Sequence, residues 1–301
     1  MRFLTTDHAH NASGDYEHIE VKPLAGALGA KILGIDVNDL SAEAFTEVQR
    51  ASADHLVVFF PGQDLDPDRL ADFTSRWGSF GEEPFVGTIA EHDRVIRVVK
   101  EADEQHPLVF GGAWHSDYSF LETPPAYTFL YAVDVPNHGG DTLWTNAYLA
   151  WEHLSAGMQN MLRNERALHS PKNAYGSAAT HNDLVENMNI LYGEKAHISR
   201  SQPIARRHPV TGRTALYINP GYVAGFEHWA PEETQPIIDH LMTIATNPAF
   251  QCRYRWQAGS LAIWDNRCTM HNPINDYHGA RRELLRTTVA GEEPIAADTA
   301  S

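Results

Sequence analysis

His115 and Asp117 stand two residues apart in the stretch GGAWHSDYSF, residues 111–120. On an extended chain alternate side chains point the same way, so one imidazole and one carboxylate would converge on a single point. They offer two of the ligands a divalent metal takes, or they form a polar pair on a wet surface. The chain holds 17 histidines, and similar triplets recur at His181-Asn182-Asp183 and His18-Ile19-Glu20. Context separates the three. His181 lies in a polar, Asn-rich stretch with no strand after it, and His18 lies near the N-terminal tail. His115 follows Trp114 and precedes a long apolar segment, which puts it at a strand edge facing the core.

A metal needs a further ligand, and His271 supplies it from the block LAIWDNRCTMHNPINDYHGARRELLRTTVAGEEP, residues 261–294. Two imidazoles and one carboxylate on one face of a metal leave three positions open, the arrangement of non-haem Fe(II) sites that activate O2. Arg282 and Arg286 follow, four residues apart on the strand-like RELLRTT, and so share a face. A guanidinium facing a barrel interior requires a carboxylate, because an unpaired buried charge is costly. A dicarboxylic co-substrate would supply one. The competing reading is a surface strand on which Arg281, Arg282 and Glu283 are all solvated.

The elements that must position these groups are mainly strands. LVVFF (56–60), RVIRVV (94–99), AYTFLYAVDV (126–135), TALYIN (214–219), CRYRW (252–256), SLAIW (260–264) and LLRTTVA (284–290) are rich in β-branched and aromatic residues. Ser41 caps a helix over SAEAFTEVQRASADH, with Phe45, Val48 and Ala51 on one side. DPDRLADFTSRWG carries an Asp66 cap, Pro67 at the first helical position and Gly78 at the end. Helical patterns also occupy 147–164 and 231–246. The polar stretch 170–200 reads as a long excursion between strands, of the kind that carries or covers sites. Residues 1–17 read as a disordered polar tail and 18–295 as a single β-rich domain with helices packed outside.

Composition narrows the function. Of 301 residues, 43% are apolar and 21% charged, as in a folded globular protein. The net charge of −16 argues against a nucleic-acid surface but leaves room for a small anionic ligand held by one or two buried arginines. No apolar run is long enough to span a bilayer, and the N-terminus lacks the apolar stretch of a signal peptide, so a cytoplasmic protein is expected. Cys252 and Cys268 then read as reduced thiols, Cys252 in the core of an alternating strand.

Several separated blocks, WHSDYSFLETPPAYTFL, GGDTLWTN, RRHPVTGRTALYINPGY and the 261–294 block, occur in the order found in one family. The chain resembles the taurine dioxygenase and 2,4-dichlorophenoxyacetate dioxygenase family of Fe(II)- and 2-oxoglutarate-dependent dioxygenases over most of its length. The resemblance implies a double-stranded β-helix, a jelly-roll barrel with helices outside. It implies His115, Asp117 and His271 as iron ligands, with Arg282 and Thr142 holding the distal carboxylate of 2-oxoglutarate. Arg286 falls where the taurine enzymes hold the substrate sulfonate, and Tyr118, Phe120, Tyr175 and Tyr222 fall at positions of the substrate pocket. It further implies O2 as co-substrate, hydroxylation of an aliphatic C–H with release of succinate and CO2, and a homo-oligomer. The iron-dependent halogenases of this kind lack the carboxylate ligand; Asp117 is present, which points to hydroxylation.

The chain departs from the taurine enzymes where the substrate is read. FGEEPFVG presents Glu83, Pro84 and Phe85 where they use a His and a Tyr, and Gly111 replaces an Asn. An anionic Glu83 would repel a sulfonate. The expected substrate is therefore a small organic anion other than taurine: a sulfonate, sulfate ester, phosphonate or carboxylate. Alternatives are taurine dioxygenase proper, a zinc hydrolase on the same three ligands, against which Arg282 and Thr142 argue, and a binding module with a dead site.

Overall fold

The computed structural model describes residues 8–104, 109–176 and 187–297. Its centre is a seven-stranded sheet in the order Glu20–Pro23, Ala30–Leu33, Val57–Phe60, Leu261–Asp265, Tyr127–Asp134, Arg282–Val289, Ile96–Lys100. A three-stranded sheet, Gln251–Tyr254, Thr142–Asn146 and Thr269–Pro273, packs against it. Two further three-stranded sheets and the helices complete a mainly β structure.

Strand alternation sorts the core into two layers. Val58, Phe60, Phe129, Tyr131, Ile263 and Leu285 point outward, under the helices Ala42–His55 and Pro67–Ser75. Their neighbours Val57, Phe59, Leu130, Ala262, Trp264 and Leu284 point inward and meet Trp144, Cys252 and Tyr254 of the small sheet. Phe59 stacks on Tyr254 with ring centroids 4.0 Å apart. Each such fully buried side chain contributes about 1.5–3 kcal/mol, and the layer fixes the spacing between the two sheets. Arg282 and Arg286 lie in regular register opposite Lys100 and Ile96, so they share the inward face with Leu284.

Both expected helix caps form: the Ser41 hydroxyl accepts from the Ala44 N–H and the Asp66 carboxylate from the Arg69 N–H. The single helical pattern expected over 147–164 is two helices, Ala147–Glu152 and Ala156–Leu162, because Ser155 caps a new one. Within residues 8–17 the chain is anchored at Asn11. Asn11 is buried; its amide donates to the carbonyls of Ala25 and Gly29, and its oxygen bonds His55 Nδ1 at 2.7 Å. Such a side chain satisfies buried backbone groups that apolar neighbours could not. Among the described residues no helix is long and apolar enough to cross a membrane.

Candidate metal and co-substrate site

His271 lies on the strand Thr269–Pro273, which the sequence did not signal. Its backbone exchanges two hydrogen bonds with His115, N to O at 2.8 and 3.1 Å. His115 is thus held by a single bridge to that strand rather than by a regular strand of its own. The chain then turns at 117–120, with Tyr118 at φ 43°.

The ligand atoms of His115, Asp117 and His271 lie within 4.8 Å of one another, and all three side chains are buried. His115 Nε2 is 3.5 Å and His271 Nε2 4.0 Å from Asp117 Oδ1. His115 Nδ1–H donates to the Ala113 carbonyl at 2.7 Å, which fixes the tautomer and leaves the Nε2 lone pair for a metal. The Thr128 hydroxyl donates to Asp117 Oδ2 at 2.6 Å, the Asn266 amide donates to Thr128, and the Asn266 oxygen accepts from the Asp117 N–H. Oδ2 is thereby occupied and Oδ1 turned toward the two imidazoles. Burial, the largest single influence, would raise the Asp117 pKa; the Arg286 guanidinium and the two histidines together outweigh it and hold the carboxyl far below the usual carboxylate range. Burial, helped by His115, pushes His271 down to about 3, so it is a neutral imidazole near pH 7. The carboxylate of Asp117 and the neutral imidazole of His271 are in the protonation states that metal ligation requires.

Thr128 and Asn266 carry no signal in the sequence, because their role depends on a bond across strands far apart in the chain. Thr128→Val should weaken Fe(II) binding by about 1.5–3 kcal/mol, one hydrogen bond to a charged group, with little change in the affinity of the bound complex for 2-oxoglutarate. Anaerobic Fe(II) titration checks this; an unchanged Fe(II) affinity would remove Thr128 from the site.

Arg282 is 4% exposed, its Nε donates to the Gly140 carbonyl at 3.2 Å, and its Nη2 is buried without a partner. Gly140 sits at φ +68°, and a Cβ there would lie 3.1 Å from Arg282 Cδ, so this glycine of GGDT gives the arginine its space. Burial lowers the Arg282 pKa, Tyr277 and Asp141 opposing. Trp256 lies under the guanidinium at 5.8 Å and donates its indole N–H to the Thr142 hydroxyl at 3.0 Å, which leaves the Thr142 hydrogen to donate elsewhere. An orphaned buried cation beside a hydroxyl donor fits a carboxylate.

Arg286 is only partly satisfied, its buried Nη2 making no hydrogen bond. Its Nη1 binds Glu83 Oε2 at 3.1 Å and its Nη2 lies 3.3 Å from Asp117 Oδ1. Burial would lower its pKa, but Asp117 and Glu83 raise it well above its ordinary value. Beside His115 opens a cavity of about 270 Å³ walled by Phe110, Tyr175, Ile190, Tyr192 and Tyr222. Among the described residues no Asp, Glu, Lys or Arg lines it. Gly111 keeps it open against the metal group: at φ +73°, its Cβ would lie 3.0 Å from His115 Cε1. Tyr175 and Tyr222 stand in this wall. Tyr118 and Phe120 do not; both are fully buried behind it, Phe120 against Tyr222 and Phe85 and Tyr118 under Arg286. Of the other two triplets, His18 and Glu20 are exposed, and 181–183 lie outside the described residues.

The model of the family described as "Taurine catabolism dioxygenase TauD, TfdA family" matches residues 20–288. An alpha-ketoglutarate-dependent sulfate ester dioxygenase of Pseudomonas putida is 30% identical, covering 93% of this chain and 92% of its own. An alkylsulfatase of Acinetobacter baylyi is 29% identical over 92% of this chain and 86% of its own. The crystal structure of a taurine dioxygenase from Burkholderia xenovorans superposes with a TM-score of 0.78 at 30% identity, covering 93% of each chain.

Proposed function

For a chain that belongs to the TauD, TfdA family and is a 2-oxoglutarate-dependent dioxygenase, we propose hydroxylation of an aliphatic C–H in a small organic anion at an Fe(II) centre. The centre is held by His115, Asp117 and His271, and the domain is 18–295, its facing sheets read as a double-stranded β-helix. The observation that carries the reading is a buried His, His, carboxylate group on the same interior as a buried guanidinium with an unpartnered N–H.

When bound, Fe(II) with 2-oxoglutarate and O2 supplies the oxidising power, and succinate and CO2 are released. The chain's own residues bind and orient. Arg282 and Thr142 take the distal carboxylate of 2-oxoglutarate and so point its keto-acid end toward the His115, Asp117 and His271 group. Thr128 and Asn266 hold Asp117 at one angle. Tyr175, Tyr222 and Phe110 wall off water and place the substrate's carbon body in the cavity beside His115.

The names of the relatives support a sulfate ester or sulfonate as the substrate's acidic group, received at Arg286. Asp117 is committed to the metal, so the acid replaces Glu83 on that guanidinium. Taurine is disfavoured, since Gly111 offers its amine no side-chain contact and, among the described residues, no carboxylate lines the cavity to pair with an ammonium.

Succinate formation above the uncoupled background, across alkyl sulfates, alkyl sulfonates, phosphonates, aryloxy acids and taurine, tests the proposal. An alkyl sulfate or sulfonate of several carbons is expected to lead, with taurine poor. A best substrate without an acidic group, turned over equally by Arg286→Gln, would overturn the anion assignment; taurine as the best substrate, with its amine required, would overturn the preference against it.

A further inference from the structure

Glu83 is a carboxylate that the site does not need for iron or for 2-oxoglutarate. It is nonetheless bonded inward, Oε2 accepting from Arg286 Nη1 at 3.1 Å and Oε1 from the Thr288 hydroxyl at 3.0 Å, with its side chain only 12% exposed. Burial raises its pKa, and Arg286 opposes the rise. Glu83 also lines a second cavity, a cleft of about 380 Å³ bounded by Glu82, Thr88, Asp93 and Arg94, and is absent from the wall of the cavity beside His115. One carboxylate therefore sits between Arg286 and a polar cleft that contains another arginine. Among the described residues the ion pair that Arg94 makes is an exposed one, to Asp93 at 3.7 Å.

Resting on the reading of Arg286 as the anion receiver, we infer that Glu83 is a specificity-determining residue that competes with the substrate's acidic group for Arg286. An anion entering beside Arg286 with Glu83 in place would set two like charges on one buried guanidinium, next to Asp117, and a partly buried repulsion of that kind is strong. The carboxylate must yield, and the cleft toward Arg94 is the space into which it turns. The consequence is a uniform penalty on every anionic head group. Glu83 thus sets anionic against uncharged ligands, while discrimination among anions rests on the cavity beside His115, through the length and shape of the carbon body.

The test is calorimetric binding of hexyl sulfate, and of hexanesulfonamide as its uncharged counterpart, to the anaerobic Fe(II) and 2-oxoglutarate complex. Glu83→Gln keeps the volume and the Thr288 bond and removes the charge. It should bind hexyl sulfate about tenfold or more tighter than the parent, with the sulfonamide changed by less than about threefold. Thr288→Val, which leaves the charge but loosens its anchoring, should tighten hexyl sulfate by a smaller factor, about threefold, and supplies the test if Glu83→Gln does not fold. Hexyl sulfate bound equally or more weakly by Glu83→Gln overturns the inference, as does an equal gain for both ligands. Arg286→Gln separates the two readings. Hexyl sulfate binding that depends on Arg286 but not on Glu83 rejects only the competition, whereas binding indifferent to both rejects Arg286 as the anion receiver.

Discussion

His271→Ala is expected to abolish 2-oxoglutarate turnover and to weaken Fe(II) binding by more than 100-fold, beyond the roughly 10–100-fold that loss of a supporting partner costs a metal site. The imidazole is buried between Trp264, at 4.7 Å between ring centroids, and His115. Among the described residues one other buried group has metal-ligand spacing, His208, Asp265 and Cys268. It cannot stand in, because both Asp265 oxygens are taken by Arg267 and one also by His208. Removing His271 therefore leaves two ligands and no replacement. Anaerobic Fe(II) titration and succinate formation check the outcome. His181→Ala, the other His-x-Asp triplet, should change neither; the reverse pattern would mean that the wrong triplet has been assigned to the metal.

Arg282→Ala should weaken 2-oxoglutarate by about 3–4 kcal/mol, several-hundred-fold, because the ligand's carboxylate would then be buried without its charge partner. Thr142→Ala should act in the same direction by about 1 kcal/mol, one hydrogen bond. The ligand-free protein should behave differently. There Arg282 is a buried cation with an unpartnered N–H, so truncating it should cost little stability or even add some. The parent should gain thermal stability on adding 2-oxoglutarate with Fe(II), and Arg282→Ala should lose that gain. A strongly destabilised ligand-free variant would mark Arg282 as structural, and a larger effect at Thr142 would place the distal carboxylate elsewhere.

Much of this site can be read in the sequence because its residues come in local blocks. HSD, GGDT and the 261–294 block each carry their groups within a few residues, and the four-residue spacing of Arg282 and Arg286 is enough to put them on a shared strand face. The main strands are equally legible, since LVVFF and SLAIW are continuous apolar runs of the kind buried on both faces. What escaped depends on distant partners. The strand bearing His271, TMHNP, is short and has no period, and it exists because it pairs with Thr142–Asn146. Glu83 and Arg286 are 203 residues apart, so nothing local announces that the guanidinium already holds a carboxylate. Tyr118 and Phe120 share a face with neither cavity, because the chain turns at 117 instead of continuing as a strand.

The most direct measurement is the visible spectrum of the protein under anaerobic conditions as Fe(II) and then 2-oxoglutarate are added. A weak charge-transfer band of a keto acid chelated to Fe(II) is expected only with both present. It should vanish in His115→Ala, require much more 2-oxoglutarate in Arg282→Ala, and shift when an alkyl sulfate enters the cavity. A spectrum without the band, or a band that survives His115→Ala unchanged, would contradict the assignment of His115, Asp117 and His271 as the iron site.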